Sequence, residues 1–392
     1  MLNSIALIIL LGTFIGYLFK KFKLPSLLGL ILTGIILGPH MFNLIDISIL
    51  NISSELRQIA LVIILTRAGL ALDINDLKKV GRPAILMCFI PATFEILGFI
   101  ILGPKLLGLS LLDSVILGTV IAAVSPAVIV PRMIKLIDDG YGVKKSIPQL
   151  ILAGASVDDI FVIVLFTSFT SIATTGSSFS TKTLIEIPIS IILGILLGII
   201  IGILLVKLFK NIHTRDSNKI LIILSISFLF LSLENILKGI IPLSGLLSVM
   251  SLGTTILKMN KNLSLRLSSK YSKLWVGAEI FLFVLVGANV DISYALNSGI
   301  VVILIILLAL IFRLLGVFIS LINTKLSPKE KLFSAFSYMP KATVQAAIGA
   351  IPLSMGLSSG ETILTVAVVS ILITAPLGAI LIDNTYKKLL SK

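Results

Sequence analysis

Charged residues are scarce in this chain, and their scarcity limits what kind of protein it encodes. They make up 13% of the 392 residues, whereas hydrophobic residues make up 57%. The mean hydropathy is +1.15. Soluble domains carry roughly 25% charged and about 45–50% apolar residues. The composition therefore excludes a soluble protein and predicts an integral membrane protein.

Cysteine and histidine are nearly absent, which excludes two further kinds of site. Because Cys88 is the single cysteine, no internal disulfide can form. His40 and His213 lie far apart in the sequence, so we do not expect a histidine-rich metal site. The chain also lacks an H-E-x-x-H sequence, a Walker A loop and a closely spaced Ser/His/Asp set. We therefore expect neither an enzyme nor a bound cofactor.

Long apolar stretches recur from one end of the chain to the other. Stretches of about 18–25 residues can cross a hydrocarbon core of roughly 30 Å. The sequence predicts an all-α polytopic membrane protein in which residues 1–392 form a single transporter domain. We place about thirteen transmembrane helices at 3–19, 24–42, 56–74, 84–103, 111–131, 146–172, 184–209, 218–236, 240–257, 274–290, 299–322, 331–355 and 361–384.

The positive charge is concentrated in alternate loops. The formal net charge is +14, and 25 of the 32 Lys and Arg residues lie in alternate loops, including 258–273, and in the C-terminal tail. Cytoplasmic loops of membrane proteins are enriched in Lys and Arg. We therefore expect the N-terminus outside, the C-terminus in the cytoplasm and a plasma-membrane location. On this interpretation the charge does not indicate nucleic-acid binding.

The two halves of the chain resemble each other at an offset of about 218 residues. The matches pair Gly69 with Gly287, Asp73-Ile74 with Asp291-Ile292, and Glu95 with Arg313. Residues 1–176 would then form a first repeat of six spans and residues 218–386 a second, with a linker span at 182–210. Seven spans of separation invert the second repeat, which is an arrangement typical of secondary transporters.

Two adjacent carboxylates, Asp158 and Asp159, lie in the sixth span. About a dozen helical residues, or about 18 Å, separate them from the preceding basic loop, which places them near the bilayer midplane. A carboxylate at that depth is costly and marks a functional site. Carboxylate oxygens bind either a proton or a hard cation, so Asp158 and Asp159 are the predicted ion- and proton-binding residues.

Prolines interrupt the fifth and twelfth spans at Pro126 and Pro340. A proline removes a backbone donor and breaks a helix, and unwound backbone at membrane depth is tolerated where it lines a cavity or is buried in protein. Freed carbonyls and the Ser125 hydroxyl are then candidate cation ligands. Polar residues follow the second proline and are predicted to support the break, namely Lys341, Thr343 and Gln345.

Glu95 and Arg313 occupy matching mid-depth positions of the two repeats, and we expect them to form an ion pair. If Glu95 occupies Arg313, both aspartates are free to cycle, and exchange is electrogenic; this is the case we favour. If Arg313 instead holds Asp158, only Asp159 cycles, and exchange is one for one.

At these residues the sequence resembles the monovalent cation:proton antiporters. The resemblance is to the branch that contains the mitochondrial and plasma-membrane sodium/hydrogen exchangers of animals and their bacterial relatives. It is carried by the stretches Thr66–Asp73, Val124–Pro131, Gly140–Val143, Ala155–Ile160 and Pro340–Gly349.

The resemblance implies a homodimer with spans 1–2 and 8–9 nearest the dimer interface. It also implies a moving core of spans 3–6 and 10–13, with the broken helices of spans 5 and 12 crossing each other. Asp159 is implied to bind the transported sodium ion or proton, with Asp158 beside it. Many relatives carry lysine where this chain has Arg313, and because an arginine stays protonated, it argues against proton release at this position.

We therefore expect a sodium or lithium/proton antiporter that works by alternating access. Its partners are monovalent cations, protons and the lipid bilayer. A potassium/proton antiporter or proton-linked potassium efflux system of the same fold is the alternative, and a cation channel is a third possibility.

Overall fold

All the regular secondary structure among the described residues is helical. The computed structural model describes residues 1–22, 24–71, 81–175, 181–212, 214–237, 240–291 and 299–392, with backbone only at 156, 175 and 181–187. Within these residues there is no strand, and the predicted all-α class is confirmed. The helices are α1 Leu2–Lys21, α2 Ser26–Leu37, α3 Ile47–Asn51, α4 Ser53–Ala71, α5 Arg82–Met87, α6 Ile90–Leu106, α7 Leu111–Ile121, α8 Pro126–Asp138, α9 Ile147–Thr175, α10 Thr181–Asn211, α11 Asp216–Leu237, α12 Gly245–Met259, α13 Lys261–Ala288, α14 Gly299–Ser320, α15 Pro328–Ser337, α16 Thr343–Ile348, α17 Ile351–Ser354 and α18 Gly360–Leu389.

Each predicted span coincides with one helix or with a run of short helices. In the described part of the chain, nine helical stretches are long and apolar enough to cross a membrane. Shorter apolar helices lie at Ser26–Leu37, Gly245–Met259 and Thr343–Ser354. The count of thirteen spans stays a prediction. Several residues used above lie outside the described residues, namely Asp73, Ile74, the boundary at 176, His213 and Ile292.

The loop that we predicted before the tenth span is wrong, because the basic segment before residue 274 is helical. Helix α13 begins at Lys261. The Asn260 side chain accepts a hydrogen bond from the backbone N–H of Leu263 at 3.0 Å, which caps the start of this helix. Arg266 lies on the helix and pairs with Asp216 at 3.0 Å. Basic residues therefore extend this helix beyond its apolar part.

The second predicted span also ends earlier than expected. Helix α2 stops at Leu37, and Gly38 follows it in an extended conformation. A methyl group at Gly34 or Gly38 would collide with the backbone of α13 near Val284 and Ala288. These glycines let two helix backbones approach closely, as small residues do in membrane helix packing.

The chain divides into two compact units. The first comprises Met1–Ser54, Asn75–Val162 and Ile280–Lys392, and the second comprises Glu55–Ile74 and Ile163–Glu279. Helix α4 belongs almost entirely to the second unit, where Gly69 packs against the backbone of Met250 and Gly253 on α12. The second unit thus holds span 3 together with spans 7–9, the later part of span 6 and the start of span 10, whereas the family resemblance implied a core of spans 3–6 and 10–13. The two inverted repeats, residues 1–176 and 218–386, remain a prediction.

Candidate functional site

The fifth predicted span is broken at the position of its proline. Helix α7 ends at Ile121, and Pro126 is the first residue of α8. Proline is well tolerated there, because the first turn of a helix needs no backbone donor. Residues 122–125 between the two helices are buried. The carbonyls at the end of α7 and the amides at the start of α8 therefore need partners from elsewhere in the unit.

The twelfth predicted span breaks in a similar way, and the two breaks meet. Helix α15 ends at Ser337 and α16 begins at Thr343, with Pro340 and Lys341 between them. The backbone N–H of Ser125 donates to the carbonyl of Pro340 at 2.8 Å. The N–H of Lys341 donates to the Thr374 hydroxyl at 2.9 Å. The unwound backbone is thus tied both across the breaks and to α18.

Gln345 connects the two breaks through its side-chain amide. Its nitrogen donates to the carbonyls of Ile121 at 2.9 Å and Ala123 at 2.8 Å. Its oxygen accepts from the backbone N–H of Ala342 at 2.8 Å. Gln345 is fully buried, so these bonds replace water for three backbone groups that the breaks would otherwise leave unpaired.

Arg313 lies at the centre of the site and is fully buried. Its guanidinium donates to Glu95 at 2.8 Å and to Asp158 at 2.9 Å. It also donates to the backbone carbonyls of Tyr338, at 2.6 Å, and of Ala122. One side chain from α14 thereby binds two acidic residues and the unwound backbone of both breaks. The planar fork of five donors in arginine suits such a task, and the point charge of a lysine does not.

Glu95 also pairs with a lysine side chain, and this contact was not predicted. One oxygen of Glu95 accepts from Lys341 at 2.5 Å as well as from Arg313. Both Glu95 and Lys341 are buried. Since a buried charge is costly without a partner, Glu95, Asp158, Arg313 and Lys341 form a set whose formal charges cancel. We call these four residues the charge cluster.

Asp158 and Asp159 have different surroundings although they are adjacent. Asp158 is fully buried, and one of its oxygens accepts from the N–H of Val124 at 2.8 Å and from Arg313. Asp159 is half-buried, and its Oδ1 atom is buried without a hydrogen-bond partner among the described residues. Adjacent helix residues point about 100° apart. Asp158 therefore points towards the other members of the charge cluster, and Asp159 lies outside it.

The structure brings most of the predicted site residues together. Glu95, Arg313 and Asp158 are in contact, and Lys341 and Gln345 join them through the second break. Ser125 is buried, and its hydroxyl has no partner within the described part of the chain. Thr343 begins α16 and is buried. The roles of these residues in binding an ion or a proton stay predictions.

We expected Arg313 to pair with either Glu95 or Asp158, but the structure contains both contacts. Arg313 binds the two acids at the same time, so neither expected pairing with a single acid is present. Sequence reasoning also missed Tyr338, whose carbonyl and ring both lie against Arg313. Its position two residues before Pro340 was the available signal, because residues that flank a helix break contribute their backbone to the site.

Comparison with known proteins places this arrangement in a family. Residues 6–387 match the sequence profile of the family described as "Sodium/hydrogen exchanger, transmembrane". The chain belongs to the sodium/hydrogen exchanger family. The match covers nearly the whole chain and includes both breaks and the charge cluster.

Among relatives of this sodium/hydrogen exchanger family member are two human proteins. Human sodium/hydrogen exchanger 9B2 is 34% identical over 386 residues, which cover 94% of this chain and 70% of the relative. Human sodium/hydrogen exchanger 9B1 is 32% identical over 383 residues, which cover 94% and 73%. The relatives are therefore longer than the chain.

A solved structure shares the fold of this family member. The structure of the sodium proton antiporter MjNhaP1 from Methanocaldococcus jannaschii at pH 8 matches with a TM-score of 0.87 and 23% identity, covering 100% of this chain and 99% of the other. At this identity the likeness shows the fold alone. Together with the apolar helices, the family identifies a multi-pass membrane protein.

Proposed function

We propose that this protein exchanges sodium or lithium ions for protons across the membrane. The observation that carries the proposal is the contrast within the aspartate pair. Both residues keep a buried oxygen without a partner in the described residues, but the other oxygen of Asp158 is bound to Arg313, whereas Asp159 pairs with no described cationic side chain. A carboxylate in this state binds a proton or a cation, and the two compete for it. The names of the relatives, which are sodium/hydrogen exchangers, support the same activity.

We propose Asp159 as the principal ligand, with Asp158 and Ser125 beside it. The hydroxyl of Ser125 and the Oδ1 atom of Asp158 are also buried and lack partners in the part of the chain that is described. Val124, next to Ser125, binds the other oxygen of Asp158, so the fifth-span break is tied to the sixth span. Oxygen ligands suit a hard monovalent cation. The transported ion is a substrate here, and no cofactor is needed.

The charge cluster bears on the number of protons exchanged. Our expectation of electrogenic exchange depended on Glu95 alone occupying Arg313. Since Arg313 also binds Asp158 and Lys341 offsets Glu95, the four charges cancel and Asp159 is left as the cycling group. We therefore propose one proton per cation. Electrogenic exchange would require a second proton carrier, and Lys341 is then the group to examine.

The stoichiometry is tested by imposing a membrane potential on proteoliposomes. One elementary charge moving through 100 mV gains about 2.3 kcal/mol, so electrogenic exchange would shift the final ion gradient strongly. One-for-one exchange predicts a final sodium gradient that does not respond to the potential. A gradient that follows the potential would contradict the proposed exchange of one proton per cation and would require a second proton carrier.

Alternating access, the membrane and the oligomeric state are further parts of the proposal. We propose that the site opens to each side of a plasma membrane in turn, with the N-terminus outside and the C-terminus in the cytoplasm. We also propose a homodimer through spans 1–2 and 8–9. Leu10, Phe14 and Tyr17 are exposed along one face of α1, which suits burial against lipid or a second copy. Native mass spectrometry in mild detergent tests the dimer.

The central experiment measures ion-dependent pH changes in proteoliposomes. Sodium, lithium, potassium and choline are added in turn to vesicles that hold an imposed pH gradient and a pH-sensitive dye. We expect sodium and lithium to dissipate the gradient and choline to have no effect. A larger response to potassium would favour the potassium/proton alternative. An intact gradient with every cation would overturn the proposed exchange.

A further inference from the structure

Tyr338 presents a buried hydroxyl group that has no part in the proposed binding of the ion. Its side chain is fully buried, and its Oη atom has no hydrogen-bond partner within the described residues. The same condition holds for oxygens of Ser125, Asp158 and Asp159, which are the proposed ion ligands. Buried polar side-chain atoms are nearly always paired in proteins. Tyr338 is therefore one of a few exceptions in the described residues, which include the oxygens of the ion site and also the side-chain oxygen of Gln149.

The position of Tyr338 places its hydroxyl next to the ion site. A methyl group added at Gly154 would collide with this hydroxyl, so the hydroxyl lies directly against α9. Gly154 precedes Asp158 by four residues, and residues spaced by four lie on the same face of a helix, about 5–6 Å apart. The Tyr338 hydroxyl thus lies about one helical turn from Asp158, on the same face.

Arg313 fixes the tyrosine in this position. The Tyr338 carbonyl accepts from the guanidinium at 2.6 Å, and the guanidinium carbon lies 5.5 Å from the centre of the ring. The same guanidinium binds Asp158. The Tyr338 carbonyl and the Asp158 carboxylate are consequently held by one side chain, which fixes the positions of the two residues relative to each other.

Much of the packing around the Tyr338 side chain is apolar. Tyr338 belongs to a buried cluster that includes Met87, Ile151, Leu321 and Phe333. A phenylalanine would fill this space and contact Arg313 through its ring without burying an unpaired hydroxyl. A hydroxyl here is unfavourable for stability alone. Stability alone therefore does not explain the hydroxyl at this position.

We propose that the Tyr338 hydroxyl is a further residue of the ion route, an inference that rests on the proposed exchange. It supplies the first oxygen that a proton or cation meets when it moves from Asp158 towards the start of α9. That end of the helix follows the basic residues Lys144 and Lys145. A hydroxyl both donates and accepts hydrogen bonds, so it can solvate a cation or relay a proton through the apolar cluster.

The test compares Tyr338→Phe with the matched variant Tyr271→Phe. Tyr271 is also fully buried, but it lies in the second unit and its hydroxyl donates to the Ile220 carbonyl at 3.5 Å. We expect Tyr338→Phe to raise the apparent KM for sodium about fivefold or more, the effect of losing one modest polar contact. We also expect its pH profile to shift and its melting temperature to stay the same or rise. Tyr271→Phe should keep the wild-type KM and pH profile.

The other outcomes of these measurements would each overturn the inference. A wild-type KM and pH profile in Tyr338→Phe would overturn the inference while leaving the proposed exchange intact. A lower melting temperature with unchanged KM would also overturn it, because the hydroxyl would then be structural. If the wild-type protein exchanges no cation for protons, the proposed function fails and this inference fails with it.

A second pair of variants tests the placement of the hydroxyl without measuring transport. Gly154→Ala should lower the melting temperature, because its methyl group meets the hydroxyl of Tyr338. Adding Tyr338→Phe removes that oxygen and should restore part of the loss. The absence of any restoration would contradict the position on which the inference rests.

Discussion

The chain contains two Asp-Asp sequences, and they lie in opposite surroundings. Asp138 and Asp139 are exposed where α8 ends. Asp158 and Asp159 lie within α9, where Asp158 is fully buried and bound to Arg313. The side chains are identical, so their chemistry differs only through what surrounds them. Exposed carboxylates remain solvated, whereas those in α9 must find a protein group, a proton or a cation.

The largest expected effect comes from neutralising one member of each pair. Asp159→Asn should abolish cation-dependent proton movement in proteoliposomes, because an amide can neither carry the proton nor offset the charge of the ion. The melting temperature should remain close to that of the wild type, since Asp159 is outside the charge cluster. Asp139→Asn is the matched control and should transport normally. Equal activity of the two variants would remove the basis of the comparison.

The next effect extends the comparison to pairs of opposite charge. Removing one partner of the buried pair Glu95–Arg313 leaves an uncompensated charge and should cost roughly 3–5 kcal/mol of stability. The exposed pair Arg132–Asp383 has a similar separation of 3.1 Å, and Asp383 is 52% exposed. Breaking it should cost about 0–1 kcal/mol.

Double variants sharpen this test. The unfolding of Glu95→Gln, Arg313→Gln and the combination should be non-additive, with the double variant less damaged than the sum of the singles. Arg132→Gln and Asp383→Asn, measured in the same way, should add within error. Strict additivity at Glu95 and Arg313 would argue against the contact that the structure contains.

How much of the site was predictable depends on the type of residue. Asp158, Asp159, Glu95 and Arg313 stand out in the sequence because charges are rare inside apolar spans. The binding of Arg313 to both acids at the same time was not predictable. The position of its guanidinium also depends on backbone carbonyls at the two breaks, and such carbonyls have no signature in the sequence.

The fold was predictable for a similar reason, and its errors are instructive. Apolar length located the helices, and Pro126 marked the fifth-span break correctly. The start of α13 was missed because its first turns are basic and carry no apolar signal; the cap at Asn260 decides that boundary. Tyr338 was missed because an aromatic residue in an apolar span looks like ordinary packing.

A smaller effect is expected from two glutamines. Gln345→Leu removes three hydrogen bonds and leaves the carbonyls of Ile121 and Ala123 buried and unpaired. Each unpaired group costs about 1–3 kcal/mol, so the melting temperature should fall clearly. Gln149→Leu is the control, because the buried side-chain oxygen of Gln149 accepts no hydrogen bond in the described ranges. A similar loss in both variants would show that Gln345 does not hold the breaks together.

The smallest effect concerns Asp46, a carboxylate that has partners but is exposed. The Ser48 hydroxyl and backbone N–H donate to it and lower its pKa below that of an ordinary aspartate. These bonds therefore stabilise the fold above the ordinary pKa and lose this effect as the pH falls through the lowered value. Asp46→Ala should leave transport unchanged and slightly lower the melting temperature at neutral pH. A loss of transport would show that burial is not what separates functional carboxylates from the others.

A proton and a sodium ion are proposed to compete for Asp159, and proton release on sodium binding tests this competition most directly. Sodium is added to purified protein in weakly buffered detergent solution, and bound sodium and released protons are both counted. Since cation binding to an ionisable ligand releases its proton, the account predicts about one proton per sodium ion in the wild type and in Asp139→Asn, and none in Asp159→Asn. Sodium binding without proton release in the wild type, or undiminished release from Asp159→Asn, would contradict it.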